Sequence, residues 1–186
     1  MSGTSLDGID VALVETDGRD VVRRLGGTTI AYPDAFRARL RHALAEAQSI
    51  RRREERPGSL AAVERELTER HAEAVLRLLA DRGITPESID VVGFHGQTVL
   101  HRRDGDGRML TVQLGDGPLL ARRIGIDVVY DVRAADTAAG GEGAPLVPVY
   151  HRALAASRPE RPLSVLNIGG VANVTWIGRD GALVAF

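Results

Sequence analysis

Neither cysteine nor lysine occurs in the 186 residues. The first absence excludes a disulfide framework and any thiolate metal site. The second makes all 24 basic side chains arginine, which points more to genomic codon bias than to function, although guanidinium groups suit bidentate phosphate contacts. Aromatic residues reach only 4%, and the arginines are spread among acidic residues. A nucleic-acid surface with stacking platforms is therefore not expected. No apolar run approaches the roughly 18 residues of a bilayer-spanning helix, and no charged segment leads into an apolar one at the N-terminus. Neither a membrane span nor a targeting signal is expected, and the expected compartment is the cytoplasm.

What is present describes a soluble globular protein. Hydrophobic residues at 44% can build a core beneath a surface carrying 26% charged residues, and the net charge is −1. The length accommodates one large domain, or one domain and part of another.

The chain is organised around its opening stretch, Met1-Ser2-Gly3-Thr4-Ser5-Leu6-Asp7-Gly8-Ile9-Asp10, which runs into the apolar residues Val11 to Val14. A tight turn feeding a strand is the simplest reading. Gly3 and Gly8 permit close approaches that a side chain would forbid. Successive amides in such a turn form a concave anion site, to which Thr4 and Ser5 add hydroxyls. Asp7 and Asp10 are candidates to hold a divalent cation through water or to take up a substrate hydroxyl. An ordinary polar β-turn is the alternative on this stretch alone.

Residues 9–16 and 21–32 read as strands around a turn at Thr16-Asp17-Gly18. Phe36, Leu40, Leu44 and Ala47 recur at helical spacing between Pro33 and Ser49. Ser59 opens a longer helix to about Arg82, with Leu60, Val63, Leu67, Ala74, Val75 and Leu78 on one face, and Gly83 ends it. His71 lies near that apolar stripe and reads as a packed or half-exposed histidine. Ile89 to Phe94 reads as a buried strand.

His95-Gly96-Gln97-Thr98 follows directly, in the place beyond a strand's carboxyl end where open α/β sheets bind ligands. Gln97 and Thr98 can each donate and accept, which suits sugar hydroxyls or an amide. A loop whose histidine satisfies local backbone groups is the alternative. After a charged hairpin tip at 104–107, Leu110 to Leu114 returns as a strand, followed by a short helix and a strand from Ile126 to Tyr130. This β–α–β rhythm is that of a layered α/β domain. Asp131, Arg133 and Asp136 then form a polar stretch leading to Gly140-Gly141-Glu142-Gly143. They are candidates to face a ligand, with Arg133 able to clamp a carboxylate; an ordinary glycine-rich loop is the alternative. Leu146 to Ala156 reads as a helix. A new hydrophobic strand, Leu163 to Ile168, then meets the turn Gly169-Gly170 and echoes the N-terminus. Val171 to Ile177 continues as a strand, and a turn at Arg179-Asp180-Gly181 leads into a last one from Ala182 to Phe186.

Together these motifs resemble the anhydro-N-acetylmuramic acid kinase family of the actin, Hsp70 and sugar-kinase superfamily. The matching runs are Met1 to Asp10, His95 to Thr98, Thr111-Val112-Gln113-Leu114-Gly115, Asp131 to Asp136 leading into 140–148, and Leu166 to Val174. The resemblance implies an α/β fold, with an RNase H-like (actin-like ATPase) domain over 1–160 and the first strands of a second such domain over 161–186. It implies ATP and Mg²⁺ in the cleft. The reaction it implies is hydrolytic opening of 1,6-anhydro-N-acetylmuramic acid with phosphorylation of O6, giving N-acetylmuramic acid 6-phosphate in cell-wall recycling.

By the same resemblance Gly3, Thr4, Ser5, Leu6, Asp7, Gly8, Ile9 and Asp10 form the first phosphate-binding turn, and Gly169 and Gly170 part of a second. Asp7 and Asp10 are the metal candidates. His95, Gln97, Thr98, Arg133 and Asp136 are the candidates for the sugar and its lactyl carboxylate. A homodimer is implied as well.

Two departures qualify these expectations. The family continues beyond this region to a segment whose aspartate activates the attacking water, and that aspartate is expected just after Phe186. Residues 1–186 therefore read as an N-terminal portion, inactive alone and without a catalytic residue of their own. The family's usual glutamine in the glycine-rich run is Glu142 here, a negative charge near the cleft. A non-catalytic sugar-binding remnant, and a related kinase for another hydroxyl compound, are the competing readings.

Overall fold

A computed structural model describes residues 1–105, 107–158, 160–169 and 172–186. The architecture is mixed α/β, and the chain falls into two compact units. The first joins residues 1–11 to 28–143, and the second joins 12–27 to 144–186.

Strands β1 (Gly8–Thr16) and β2 (Val22–Ala31) pair with each other. In the first unit, helices α1 (Asp34–Glu46) and α2 (Leu60–Arg82) follow, and a short turn of helix at Ala47–Ser49 extends α1. Helix α2 is the spine. Its 23 residues run about 34 Å at the rise of an α-helix, long enough to serve two apolar clusters. Leu60, Val63 and Leu67 pack with Leu6, Ile9, Phe36, Leu40, Val99 and Leu114. Further along, Ala72 and Leu79 pack with Phe94, Leu120, Ile124 and Ile126. Gly83 ends the helix in the left-handed conformation while the Ile84 amide donates to Leu79 O at 2.9 Å and that of Gly83 to Ala80 O at 3.1 Å. This pairing satisfies the last carbonyls of the helix.

Strand β3 (Val92–Phe94) pairs in parallel with β6 (Val128–Tyr130), and β4 (Gln97–Arg103) pairs antiparallel with β5 (Met109–Leu114). Helix α3 (Gly117–Ile124) connects β5 to β6; Asp116 caps it by accepting the Leu119 amide at 2.8 Å. Helix α4 (Val132–Ala138) follows β6.

Three expectations change here. The strand expected from Ile89 is only three residues long, because its partner β6 offers three pairs, and Val91 is exposed rather than buried. Gln97 and Thr98 stand in β4, opposite Leu114 and Gln113, rather than in a loop. The polar stretch after β6 is helical from Val132, with Asp131 turning the chain at φ 59°.

In the second unit, α5 (Pro148–Leu154) is shorter than the expected 146–156, starting where Pro148 sets a first-turn backbone. Strands β7 (Leu163–Ile168), β8 (Ala172–Ile177) and β9 (Leu183–Ala185) form an antiparallel sheet in that order. Strand β9 is shorter than the expected 182–186. Phe186 lies just outside it, although its backbone still exchanges two hydrogen bonds with Val174, at 2.9 and 3.2 Å. Phe186 is exposed at 74%. His151 Nδ1 lies 2.8 Å from the buried Thr175 hydroxyl. At the hairpin tip Asp17 Oδ1 accepts the amides of Arg19, Asp20 and Val21. Among the described residues no helix is long and apolar enough to cross a membrane.

His71 is fully packed rather than half-exposed. Its Nδ1 lies 2.8 Å from Leu67 O, Nε2 is buried with no partner, and its ring meets Phe94 edge-on at 5.0 Å. Burial pushes its pKa down to about 3. The folded protein therefore keeps His71 neutral while the unfolded chain takes up a proton below about pH 6.5. Stability present above that pH is lost as the pH falls toward 3, by about 1.4 kcal/mol per pH unit. Urea unfolding between about pH 6 and about pH 4.5, inside that window, should show a pH slope shallower by nearly one proton in His71→Leu than in the parent. Equal slopes would mean that the folded protein accommodates the charge.

Candidate functional site

The opening turn is closed at its base and open at its crest. At the base Ser2 bridges Ile9 and the Asp10 amide donates to Met1 O at 2.9 Å. Within the loop the Leu6 amide donates to Gly3 O at 3.2 Å. Leu6, Gly8 and Ile9 are buried, whereas Thr4, Ser5, Asp7 and Asp10 are exposed. Leu6 thus plugs the core, and Arg37 Nε donates to its carbonyl at 3.0 Å. Gly8 is required by contact: a Cβ there would stand 2.4 Å from Ile30 O.

Among the described residues the amides of Thr4 and Ser5 donate to no protein acceptor. Those two amides and the Thr4 hydroxyl are available to an anion, as an anion nest requires. The Ser5 hydroxyl donates to Asp7 Oδ1 at 2.7 Å, and this contact first, with local backbone amides, holds the Asp7 carboxyl below its usual range. Asp10 Oδ1 accepts the Thr29 hydroxyl at 2.6 Å. Among the described residues no three acidic or histidine side chains gather in a metal-binding group, so a cation at Asp7 and Asp10 would draw its remaining ligands from water and phosphate.

Gln97 is buried at 1% exposure, and its Oε1 accepts the Ser2 hydroxyl at 2.5 Å. Thr98 Oγ1 accepts from Gln113 Nε2 at 3.2 Å, and the same Nε2 lies 2.8 Å from Thr111 Oγ1. His95 does satisfy a local backbone group: Nδ1 donates to Gly96 O at 2.8 Å while Nε2 accepts Arg133 Nε at 3.1 Å. Burial first, then the Arg133 charge, lowers its pKa, so both nitrogens are used by a neutral ring. Burial also lowers the Arg133 pKa.

Arg133 and Asp136 converge on one residue. Arg133 Nη1 donates to Gly143 O at 2.7 Å, and the Gly143 amide donates to Asp136 Oδ2 at 2.8 Å. They fix the end of the glycine-rich loop. Glu142 meets Arg103 in a two-pronged contact at 2.6 Å, so its charge is paired, in an exposed bridge worth about 1 kcal/mol at most.

Beside His95 lies a cleft of about 190 Å³, lined in part by Arg53, Arg56, Phe94, Gln113, Tyr130 and Asp131. Arg53 pairs with Asp131 across it, while Asp131 Oδ1 is buried without a partner. The structure therefore joins the opening turn to Gln97, and His95 to Arg133 and Asp136. Gly169 is an exposed residue following β7 in the second unit, and Gly170 lies outside the described residues. Sequence reasoning missed Ser2 and Tyr32 as partners of the turn. Only the small polar residue beside Gly3 hinted at the first, and no local pattern marks the second.

The sequence model described as anhydro-N-acetylmuramic acid kinase matches residues 1–186. Three curated relatives of that printed name align over all of the chain. One from Methylobacterium nodulans is 58% identical and covered over 52% of its length. One from Rhodopseudomonas palustris is 57% identical and covered over 50%. One from Brucella suis is 53% identical, again with 50% covered. The chain thus spans about half the length of the curated relatives it matches.

Proposed function

The chain belongs to the anhydro-N-acetylmuramic acid kinase family, and on that premise we propose that it supplies the phosphate-binding turn and part of the sugar site of an ATP-dependent kinase. The substrate is 1,6-anhydro-N-acetylmuramic acid and the product N-acetylmuramic acid 6-phosphate. The observation that carries this reading is the crest of the opening turn, where two amides without a protein acceptor among the described residues, and the Thr4 hydroxyl, stand over a buried, pinned base.

Phosphoryl transfer rests on positioning and charge neutralisation rather than covalent work by the protein. When bound, ATP would supply the phosphoryl group and Mg²⁺ would neutralise its developing charge. The amides of Thr4 and Ser5 and the Thr4 hydroxyl are suited to orient phosphate oxygens. Asp7 and Asp10 would hold the cation through water, and the Ser5 contact favours the charged form of Asp7. His95 stays neutral with both nitrogens engaged, so it positions Arg133 instead of moving a proton. Thr98, Arg133 and Asp136 form the sugar-facing region of this reading, with Arg133 a partner for the lactyl carboxylate.

In the same reading residues 1–160 are an RNase H-like domain, and 161–186 open a second one, with Gly169 and Gly170 in its phosphate turn. Hydrolysis of the anhydro bond needs a carboxylate base for water. We assign that base to the part of the family's length that follows the position of Phe186, outside residues 1–186. The enzyme is proposed to work in the cytoplasm as a homodimer.

Full-length protein incubated with Mg·ATP and the anhydro sugar should yield the 6-phosphate in phosphorus NMR, while residues 1–186 alone yield none. Sugar binding by the full-length protein without product would favour the non-catalytic reading. Phosphorylation of a different hydroxyl compound in its place would favour the related kinase.

A further inference from the structure

We propose that Gln97, acting through Ser2 and Tyr32, is a positioning residue for the phosphate turn rather than a sugar ligand. The inference rests on the reading of that turn as a nucleotide site.

The three side chains form a directional chain. The Tyr32 hydroxyl donates to Ser2 Oγ at 2.9 Å, and Ser2 Oγ donates to Gln97 Oε1 at 2.5 Å. At the far end Gln97 Nε2 donates to Thr98 O at 3.2 Å. Both ends of the amide are thereby used within the protein, and exposures of 1% for Ser2, 5% for Tyr32 and 1% for Gln97 leave no face for a sugar. Burial pushes the Tyr32 pKa up to about 12, so its hydroxyl remains a donor throughout the working range.

Tyr32 grips the turn at two places. Its hydroxyl holds Ser2, immediately before Gly3, and its amide donates to Asp7 O at 2.9 Å, immediately before Gly8. Every residue at the open crest lies between these two points. Rotation of the crest would break either the hydroxyl chain or the amide contact. The chain thus fixes the direction in which the Thr4 and Ser5 amides point, and it carries that constraint to the strand that holds Thr98. A buried hydrogen-bonded network of this kind specifies one arrangement only while every member is satisfied.

The test uses the full-length protein, with nucleotide affinity measured by titration of Mg·ATP and the two Michaelis constants measured separately. Tyr32→Phe, Ser2→Ala and Gln97→Leu should each weaken Mg·ATP binding about tenfold, the scale of one buried hydrogen bond. The KM for the sugar should stay unchanged. Thermal midpoints should stay within about 4 °C of the parent for Tyr32→Phe, which removes a single oxygen. Combining Tyr32→Phe with Ser2→Ala should cost no more than the larger single change, because both cut one chain. Gln97→Glu, which retains an acceptor for Ser2, should recover part of the affinity lost in Gln97→Leu. A raised sugar KM with unchanged nucleotide affinity in Gln97→Leu would overturn the inference, as would strictly additive losses. Failure of the parent protein to bind Mg·ATP would instead remove the reading of the turn itself.

Discussion

A Gly96→Ala protein is expected to lose about 3 kcal/mol of folding stability, a large part of the roughly 5–15 kcal/mol that holds a domain together. Two independent costs meet at this position. Gly96 has φ +66°, in the left-handed region, where a Cβ costs about 1–2 kcal/mol. That Cβ would also stand 2.3 Å from Leu114 O, a backbone atom that cannot rotate away. Leu114 is the residue opposite Gln97 where β4 and β5 pair, so relief requires the strands to part. Forced overpacking of this kind costs about 1–3 kcal/mol. In urea the unfolding midpoint should fall with an unchanged slope. Gly93→Ala is the control, because nothing lies within 4 Å of its added Cβ; it should shift stability by no more than about 0.5 kcal/mol. If the two variants unfold alike, the tight passage at Gly96 is not a real constraint.

Glu64→Ala should cost a similar amount by another route. This side chain of α2 receives Arg56 through two contacts of 2.9 Å and the Gly115 amide at 2.9 Å. Both partners of the ion pair are mostly buried, at 24% and 17% side-chain exposure. One turn on, Thr68 Oγ1 donates to Glu64 O and accepts the Asp116 amide at 3.1 Å. Helix α2 is thus fastened to the segment between β5 and α3 by two neighbouring side chains. Removing the carboxylate leaves Arg56 without its counter-ion, though Nη1 still donates to the Arg53 and Glu55 carbonyls, and strands the Gly115 amide, a loss of about 3 kcal/mol. Glu64→Gln keeps an acceptor for Gly115 and should cost only about 1 kcal/mol. Chemical denaturation of both variants checks the order, and a loss in Gln as large as in Ala would show that charge, not hydrogen bonding, carries the effect. Arg56 also lines the cleft beside His95, so the Ala variant should disturb that wall.

Much of this framework is written locally in the chain. Helix α2 follows from the spacing of Leu60, Val63 and Leu67 and from Gly83, and the β7–β8 pairing from two apolar runs on either side of a glycine pair in the sequence. Helix α4 is hidden because it is seven residues long and rich in polar groups, too short for periodicity to speak. The site is legible as a set of residues but not as a set of partners. Ser2 and Gln97 are 95 positions apart, and no local pattern announces that one will hold the other. Arg133 and Asp136 look like ligand groups in the sequence because polar residues after a strand often are. Their guanidinium and carboxylate also converge on Gly143, the backbone group that helix α4 brings within reach, a pairing that no local pattern announces.

The contact between Gly8 and the Ile30 carbonyl has a consequence for the gene. Every nonsynonymous single-base change in a glycine codon brings in a Cβ or a stop, and at codon 8 each such Cβ arrives 2.4 Å from that oxygen. Neutral drift at this codon is confined to its silent third base. Codon 3 is under no such steric bar, since the nearest atom to an added Cβ is Ser5 Oγ at 3.5 Å. Two glycines that look interchangeable in the opening motif therefore stand under different rules: packing bars a side chain at one and leaves room for it at the other.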